Sequence, residues 1–485
     1  MEEKYSRLLE RAESWIDSHK DEFISEITQL VRIPSVSRAD LAEPGAPFGR
    51  DCRRVLDHAL ERGRFYGFDV IDHDGYAGSI CLGSTDAESS IGIIAHLDVV
   101  PVGDGWIYPP FEGVYLPEYD AIVGRGTDDN KGPAVLGLFV MRMLRDLGVP
   151  LRHGVRLMCG MSEETGMQDM NALLNRGEKF PKLSLVPDSS FPVNYAQKGS
   201  IDAELSIPCE GTLLSFDAGT VRNVVPDHAE CVLSSTETEV AEAFARLDPK
   251  LTSSLSVSAT ERGTVITATG RAAHAAGPAA GVNAIRLLTH ALDASGLLVG
   301  SCAEAVRGVC ELTADPFGES EGVAFRDDVS GELTLVYGVA HLRDGVLYLS
   351  VDSRCPITCD HEALCDRLTS GAWAERGFSV TRRETSKPFY IPEDDPRVVG
   401  LQELYKTITG RDDRPYTMGG GTYSRVVPNA ITFGSGIATS KSPSDLLPEG
   451  HGACHGKDEI VFMEQIYTAA KIYLLAIAFL DELLD

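Results

Sequence analysis

Two uninterrupted apolar runs, SIGIIAHL from Ser90 and HGVRLMCGMS from His153, bracket the amphipathic stretch GPAVLGLFVMRMLRDLG from Gly132 to Gly148. Short runs without alternation are what strands buried on both faces look like. The stretch between them has Pro133 where a first helical turn accepts proline and Gly148 where a helix stops. Strand, helix and strand in that order require a parallel pair joined by a crossover, which restricts this part of the chain to an α/β sheet. A third run, KLSLVPDSS from Lys182, extends the same pattern.

After Gly199 the texture changes to alternating β patterns, IDAELSI, HAECVLSS, GTVITATG and GVLYLSVDSR, separated by helical stretches at 239–247 and 282–294. That is an α+β pattern. Sheet-type signals of the first kind return with AITFGSG and a last helix from Phe462. A chain of 485 residues exceeds the size at which one core usually stops growing. The expected architecture is an α/β catalytic domain, a mixed and mostly parallel sheet flanked by helices, formed by 1–198 and 388–485, with an α+β lid domain inserted at 199–387.

In open α/β sheets the ligand crevice lies beyond the carboxyl ends of the strands. There the sequence puts His96 and Asp98 after the first run, Glu163 and Glu164 after the second, and Asp188 after the third, while Asp129 precedes the helix. Imidazole and carboxylate groups, with one anionic group shared, are the ligands of a dinuclear zinc or manganese site. The missing second histidine is expected from PEGHGACHGKDEI, where His455 is favoured over His451 because HGKDE runs directly into the last helix.

Charge excludes other classes. With 72 acidic against 44 basic residues the formal charge is -28, which opposes binding to nucleic acid and to anionic membranes. The charged start has no apolar signal segment, and the apolar stretch Ile472–Leu480 is far shorter than the roughly 20 residues of a span. The 11 cysteines, odd in number and irregularly spaced, read as reduced thiols of a cytoplasmic protein.

The ordered motifs AHLDVVPVG, GRGTDDNKGP, SEETG, VPDSS and HGKDE resemble the co-catalytic di-zinc metallopeptidase family that includes aminoacylase, bacterial glutamate carboxypeptidase and the carnosine-cleaving dipeptidases. The large insertion and GGGTYSR at Gly419–Arg425 resemble its bacterial dipeptidase branch. The resemblance implies two divalent metal ions, zinc first and manganese or cobalt as alternatives. Their ligands would be His96, Glu164, Asp188 and His455, with Asp129, rather than Asp128, bridging through a segment whose following peptide bond is often cis in that family.

It further implies that Asp98 orients the imidazole of His96 and that Glu163 is the general base. His274 would donate to the oxyanion, and Asn223, Arg354, Gly420, Gly421 and Thr422 would bind substrate. Arg354 suits a terminal carboxylate because its planar fork binds such groups bidentately. The implied activity is hydrolysis of unblocked dipeptides, Xaa-His peptides such as carnosine included, by a monomer whose insertion stands in for a second subunit. The alternatives are an N-acyl amino acid deacylase or desuccinylase on the same scaffold and a catalytically silent binding protein. Three departures from the family pattern are Cys454 beside His455, Ser162 before the glutamate pair and Asn130 after the bridging aspartate.

Overall fold

The computed structural model describes residues 2–484, with side chains from residue 5 onward. The chain divides into two compact units. The first comprises residues up to Tyr195, Ile391–Tyr416 and the chain from Thr422; the second comprises Ala196–Tyr390 and Thr417–Gly421.

Four parallel strands form the middle of the sheet in the first unit, in the order Gly154–Gly160, Ser90–His96, Leu183–Val186 and Ala430–Phe433. Antiparallel strands flank them, Ala77–Leu82 and then Asp69–Asp72 on one side and Val193–Gln197 on the other. Every residue of Ser90–His96 and Gly154–Gly160 is buried, which is why neither run alternates. The crossover helix, Lys131–Asp146, is buried along its whole length up to Leu144. It packs on the sheet and also against the helices Glu2–Val31 and Met463–Leu483, so its polar stripe is covered as well. Arg142 on that stripe lies over the rings of Tyr66 and Phe139, 4.0 and 4.6 Å from their centroids, and pairs with Glu22 at 2.9 Å.

Register decides what the sheet presents. His96 stands opposite Gly160, and Ile93 opposite Leu185, so the chain leaves all three strands at one edge. A small antiparallel sheet completes the arrangement: Ile460–Phe462 pairs with Ala121–Val123, which pairs with Val114–Leu116. It places the segment before the last helix beside the segment that leads to Asp129. Among the described residues no helix is long and apolar enough to cross a membrane.

The second unit is an eight-stranded antiparallel sheet, whose middle strands include Leu213–Ala218, Thr334–Arg343 and Val346–Arg354. One face packs on helices around Phe216, Ile266, Leu288, Val306 and Trp373, and burial alternates along Ser200–Pro208 as expected for a sheet with one wet face. The expected helical stretches appear as Glu237–Phe244 and Ala284–Ser295. Further helical segments, among them Pro249–Thr252, Ser301–Leu312 and His361–Trp373, add to the two that the sequence reading gives. Ser301–Leu312 buries Cys302, Ala305, Val306 and Val309 at helical spacing, a signal the sequence carries at least as clearly as it does for Glu237–Phe244.

Candidate functional site

At the strand ends of the first unit two groups of ligating atoms share one carboxylate. Nε2 of His96 lies 3.0 Å from Oδ1 of Asp129 and 3.8 Å from Oδ1 of Asp188. Nε2 of His455 lies 2.9 Å from the other oxygen of Asp129 and 3.0 Å from Oε1 of Glu164. Within each triad the donor atoms fall inside 4.8 Å of one another, close enough to ligate a single cation. Asp129 offers one oxygen to each triad, which is the requirement for a bridging ligand. The Asp129–Asn130 peptide bond is cis.

The electrostatics fit cations there. Burial opposes a charge on His96, yet hydrogen bonds to Asp129, Asp188 and Asp98 hold its imidazole well above the ordinary value. Hydrogen bonds to Asp129 and Glu164 push His455 up to about 11. Burial raises Glu163, Glu164 and Asp188, whereas Asp129 is held below the usual carboxylate range, against burial, by both imidazoles. Four acidic groups thus gather positive charge from two histidines, and two divalent cations would meet the same need in place of protons. The donors are nitrogen and oxygen only, a set suited to zinc, manganese or cobalt. Cys454 enters neither triad. His96 is 1% exposed and His455 54%, so the open side of the site is the His455 side.

The neighbouring candidates go elsewhere. Asp128 accepts from Nε2 of Gln465 at 2.7 Å, and His451 pairs with Asp458. Asn130 has a use that neither Asp nor Met could meet alone: its Oδ1 accepts the backbone N–H of His96 at 3.3 Å, while its Nδ2 donates to the carbonyl of Pro187 at 2.8 Å and to Asp188 at 3.2 Å. Asp98 lies against the imidazole of His96 and also serves the glutamate pair. The nearest acceptor to Nδ1 of His96 is the carbonyl of Asp98 at 3.0 Å, with its carboxylate at 3.4 Å. The two carboxylate oxygens accept the backbone N–H groups of Glu163 and Glu164, each at 3.1 Å. Asp98 therefore fastens the glutamate pair to the strand that carries His96, leaving the carboxylate of Glu163 outside both triads.

Asp169 and Tyr423 support the same turn and are absent from the sequence reading. The buried carboxylate of Asp169 accepts the N–H groups of Met161 and Ser162 at 2.6 and 2.9 Å and the Tyr423 hydroxyl at 2.5 Å. A Cβ on Gly160 would run into that hydroxyl and carboxylate and come within 2.7 Å of Cζ of Tyr423. Gly160→Ala is accordingly expected to destabilise the protein by about 1–3 kcal/mol through overpacking. A thermal melt of the metal-free protein checks this, and an unchanged midpoint would show that the turn can yield.

The second unit brings its own candidates together. Val224 pairs with His274, and the carbonyl of Asn223 accepts from Ala275 at 2.9 Å. Nδ1 of His274 accepts the N–H of Ala276 at 3.1 Å, so the ring proton sits on Nε2, and burial with the nearby Arg354 lowers its pKa. The guanidinium of Arg354 is held by Asp352 at 2.9 and 2.7 Å and donates to the carbonyl of Gly419 at 3.1 Å. That leaves one N–H on each terminal nitrogen for a ligand. Gly420 and Gly421 follow Gly419 in this unit. Thr422 belongs to the first unit, where its buried hydroxyl bonds Thr432 and Ser424 at 2.7 and 3.1 Å and caps the turn Tyr423–Arg425.

A family model described as peptidase family M20/M25/M40 matches residues 92–478. The "Putative dipeptidase YtjP" of Bacillus subtilis is 31% identical over 472 residues, which cover 94% of this chain and 97% of that protein. A Staphylococcus aureus protein of like description is 30% identical over 481 residues, 95% and 97% of the two chains. Human carnosine dipeptidase 1 superposes with a TM-score of 0.58 at 15% identity over 98% of this chain and 99% of its own. Dug1p of Saccharomyces cerevisiae, described as a dipeptidase, gives 0.57 at 14% over 98% of each chain. At such identity these two structures establish a common fold.

Proposed function

The chain belongs to peptidase family M20/M25/M40, metal-dependent hydrolases of peptide bonds, and from that premise we propose that it is a dipeptidase using two divalent cations to cleave unblocked dipeptides. The observation that carries this reading is the pair of ligand triads joined through Asp129. His96 and Asp188 would hold one cation and His455 and Glu164 the other, zinc being the first candidate and manganese or cobalt the alternatives. Bound there, the cations supply Lewis-acid polarisation of the scissile carbonyl and acidify water.

The remaining chemistry belongs to the chain. Glu163 takes the proton of the attacking water and returns it to the leaving amine. Its main chain is tethered by Asp98, so the carboxylate is carried beside Glu164 without being spent as a ligand. On the second unit the Nε2–H of His274 is assigned to the developing oxyanion, and the two remaining N–H groups of Arg354 to the terminal carboxylate. Asn223, Gly420 and Gly421 are assigned to the same substrate. A monomer in the cytoplasm is the form we propose, and Xaa-His dipeptides are among the substrates.

A panel of unblocked dipeptides, carnosine included, and their N-acetyl forms tests the reading after chelation and re-addition of single metals. The unblocked forms are expected to be cleaved only with metal, and the acetylated forms at least about 100-fold more slowly, the preference expected of a site that takes the free amine of an unblocked dipeptide. The reverse preference would assign a deacylase. Absence of cleavage with metal bound would point to a silent binding protein.

A further inference from the structure

We propose that Arg125 and Glu459 form a positioning pair that sets the affinity of the cation held by His455, Glu164 and Asp129, and rests on the two-cation reading above. Both side chains are buried, and Nη1 of Arg125 meets Oε2 of Glu459 at 2.6 Å. The other carboxylate oxygen of Glu459 accepts the backbone N–H groups of Gly126, Asp128 and Asp129, each at 3.0 Å. The other terminal nitrogen of Arg125 donates to the carbonyl of His455 at 3.2 Å and reaches that of Pro101 at 3.5 Å. One ion pair therefore grips both the segment that delivers Asp129 and the residue that faces it.

Position explains this pair better than stability does. A buried ion pair is often no more stabilising than an apolar pair of equal volume. Here the polar atoms are spent on the two segments that carry ligands. His455 has φ +61, a left-handed conformation that a non-glycine residue keeps only where its surroundings dictate it, and the bond from Arg125 falls on that residue's own carbonyl. The other triad is fixed differently, because Asn130 ties the strand end at His96 to Asp188. The pair thus bears on His455 directly and on His96 only through the shared Asp129.

Arg125→Lys separates the two effects: a lysine keeps the charge opposite Glu459 but lacks the fork that also reaches His455. Cobalt(II) titration of the chelated proteins, read by calorimetry and by the visible spectrum, is the test. Wild type is expected to take two ions. Arg125→Lys should keep one at wild-type affinity and bind the other about 10–100-fold more weakly, as loss of a supporting contact does, with a one-cobalt spectrum matching that of His455→Ala. Glu459→Ala, which removes the acceptor that holds the loop of the shared Asp129, should weaken both. Unchanged affinities in Arg125→Lys, or equal weakening of both sites together with a lower melting temperature of the chelated protein, would overturn the proposal. A wild type that takes fewer than two ions would instead remove the two-cation reading, and this role with it.

Discussion

Glu163→Gln is expected to lower kcat for an unblocked dipeptide by about 10²–10⁴-fold while KM and the metal content stay near those of the wild type. The carboxylate lies outside both ligand triads, so removing its charge takes no ligand from either cation. Its placement comes from the main chain, through the N–H held by Asp98 at 3.1 Å, and an amide of the same size can occupy the same place. What an amide cannot do is accept a proton from water and return it to an amine. The measurement is steady-state turnover beside metal analysis of the same sample. Unchanged turnover would remove Glu163 from proton transfer, whereas loss of metal would mean that Glu163 is a ligand and that the division of labour between the two adjacent glutamates is wrong.

The same substitution separates Glu163 from Asp98, which touches both glutamates. Removing the carboxylate of Asp98 frees the N–H groups of Glu163 and Glu164 together, so metal affinity and turnover should fall in concert. In Glu163→Gln only turnover should fall. The pattern across the two variants therefore distinguishes a group that handles protons from one that holds others in place.

How far the sequence discloses this site depends on how local each signal is. His96, Glu164 and Asp188 follow directly on apolar runs, and the structure has all three at one edge of the parallel sheet because those runs are neighbouring strands. Nothing so local marks His455: it is 326 positions from Asp129 and is brought to it by the pairing of Ile460–Phe462 with Ala121–Val123, three-residue strands too short to read from periodicity. What points to it is the order of motifs and the run of HGKDE into the last helix. Arg125 and Glu459 stand inside two quoted motifs, but their pairing is a long-range event, and a charged residue in a glycine-rich loop reads first as solvated. Tyr423 has the same difficulty, since GGGTYSR suggests a loop that meets substrate, whereas the ring is buried against the Asp169 carboxylate. Alternation makes the second unit's strands legible, and Ser301–Leu312 is legible on like grounds, since Cys302, Ala305, Val306 and Val309 recur at helical spacing, although the sequence reading stops at two helices.

Asp129→Ala is expected to abolish measurable hydrolysis and to cost the protein both cations, a larger effect on metal binding than loss of any other single ligand. His96, Asp188, Glu164 and His455 each serve one triad, whereas Asp129 serves both through different oxygens. Its removal also leaves the remaining acidic groups without the shared anion that brings the two imidazoles together, so a cation on either side would have two protein ligands in place of three. Thermal melting with and without metal reads the loss independently of activity. A ligand at 100 times its Kd adds about 2.7 kcal/mol per site to the folded state, so wild type should gain a clear rise in melting temperature on addition of zinc or cobalt. Asp129→Ala should gain little, while His455→Ala should keep the part of the rise that comes from the His96 side. If Asp129→Ala retained the whole rise, the shared carboxylate would not be a ligand, and the two triads would be separate clusters of ion pairs rather than one centre.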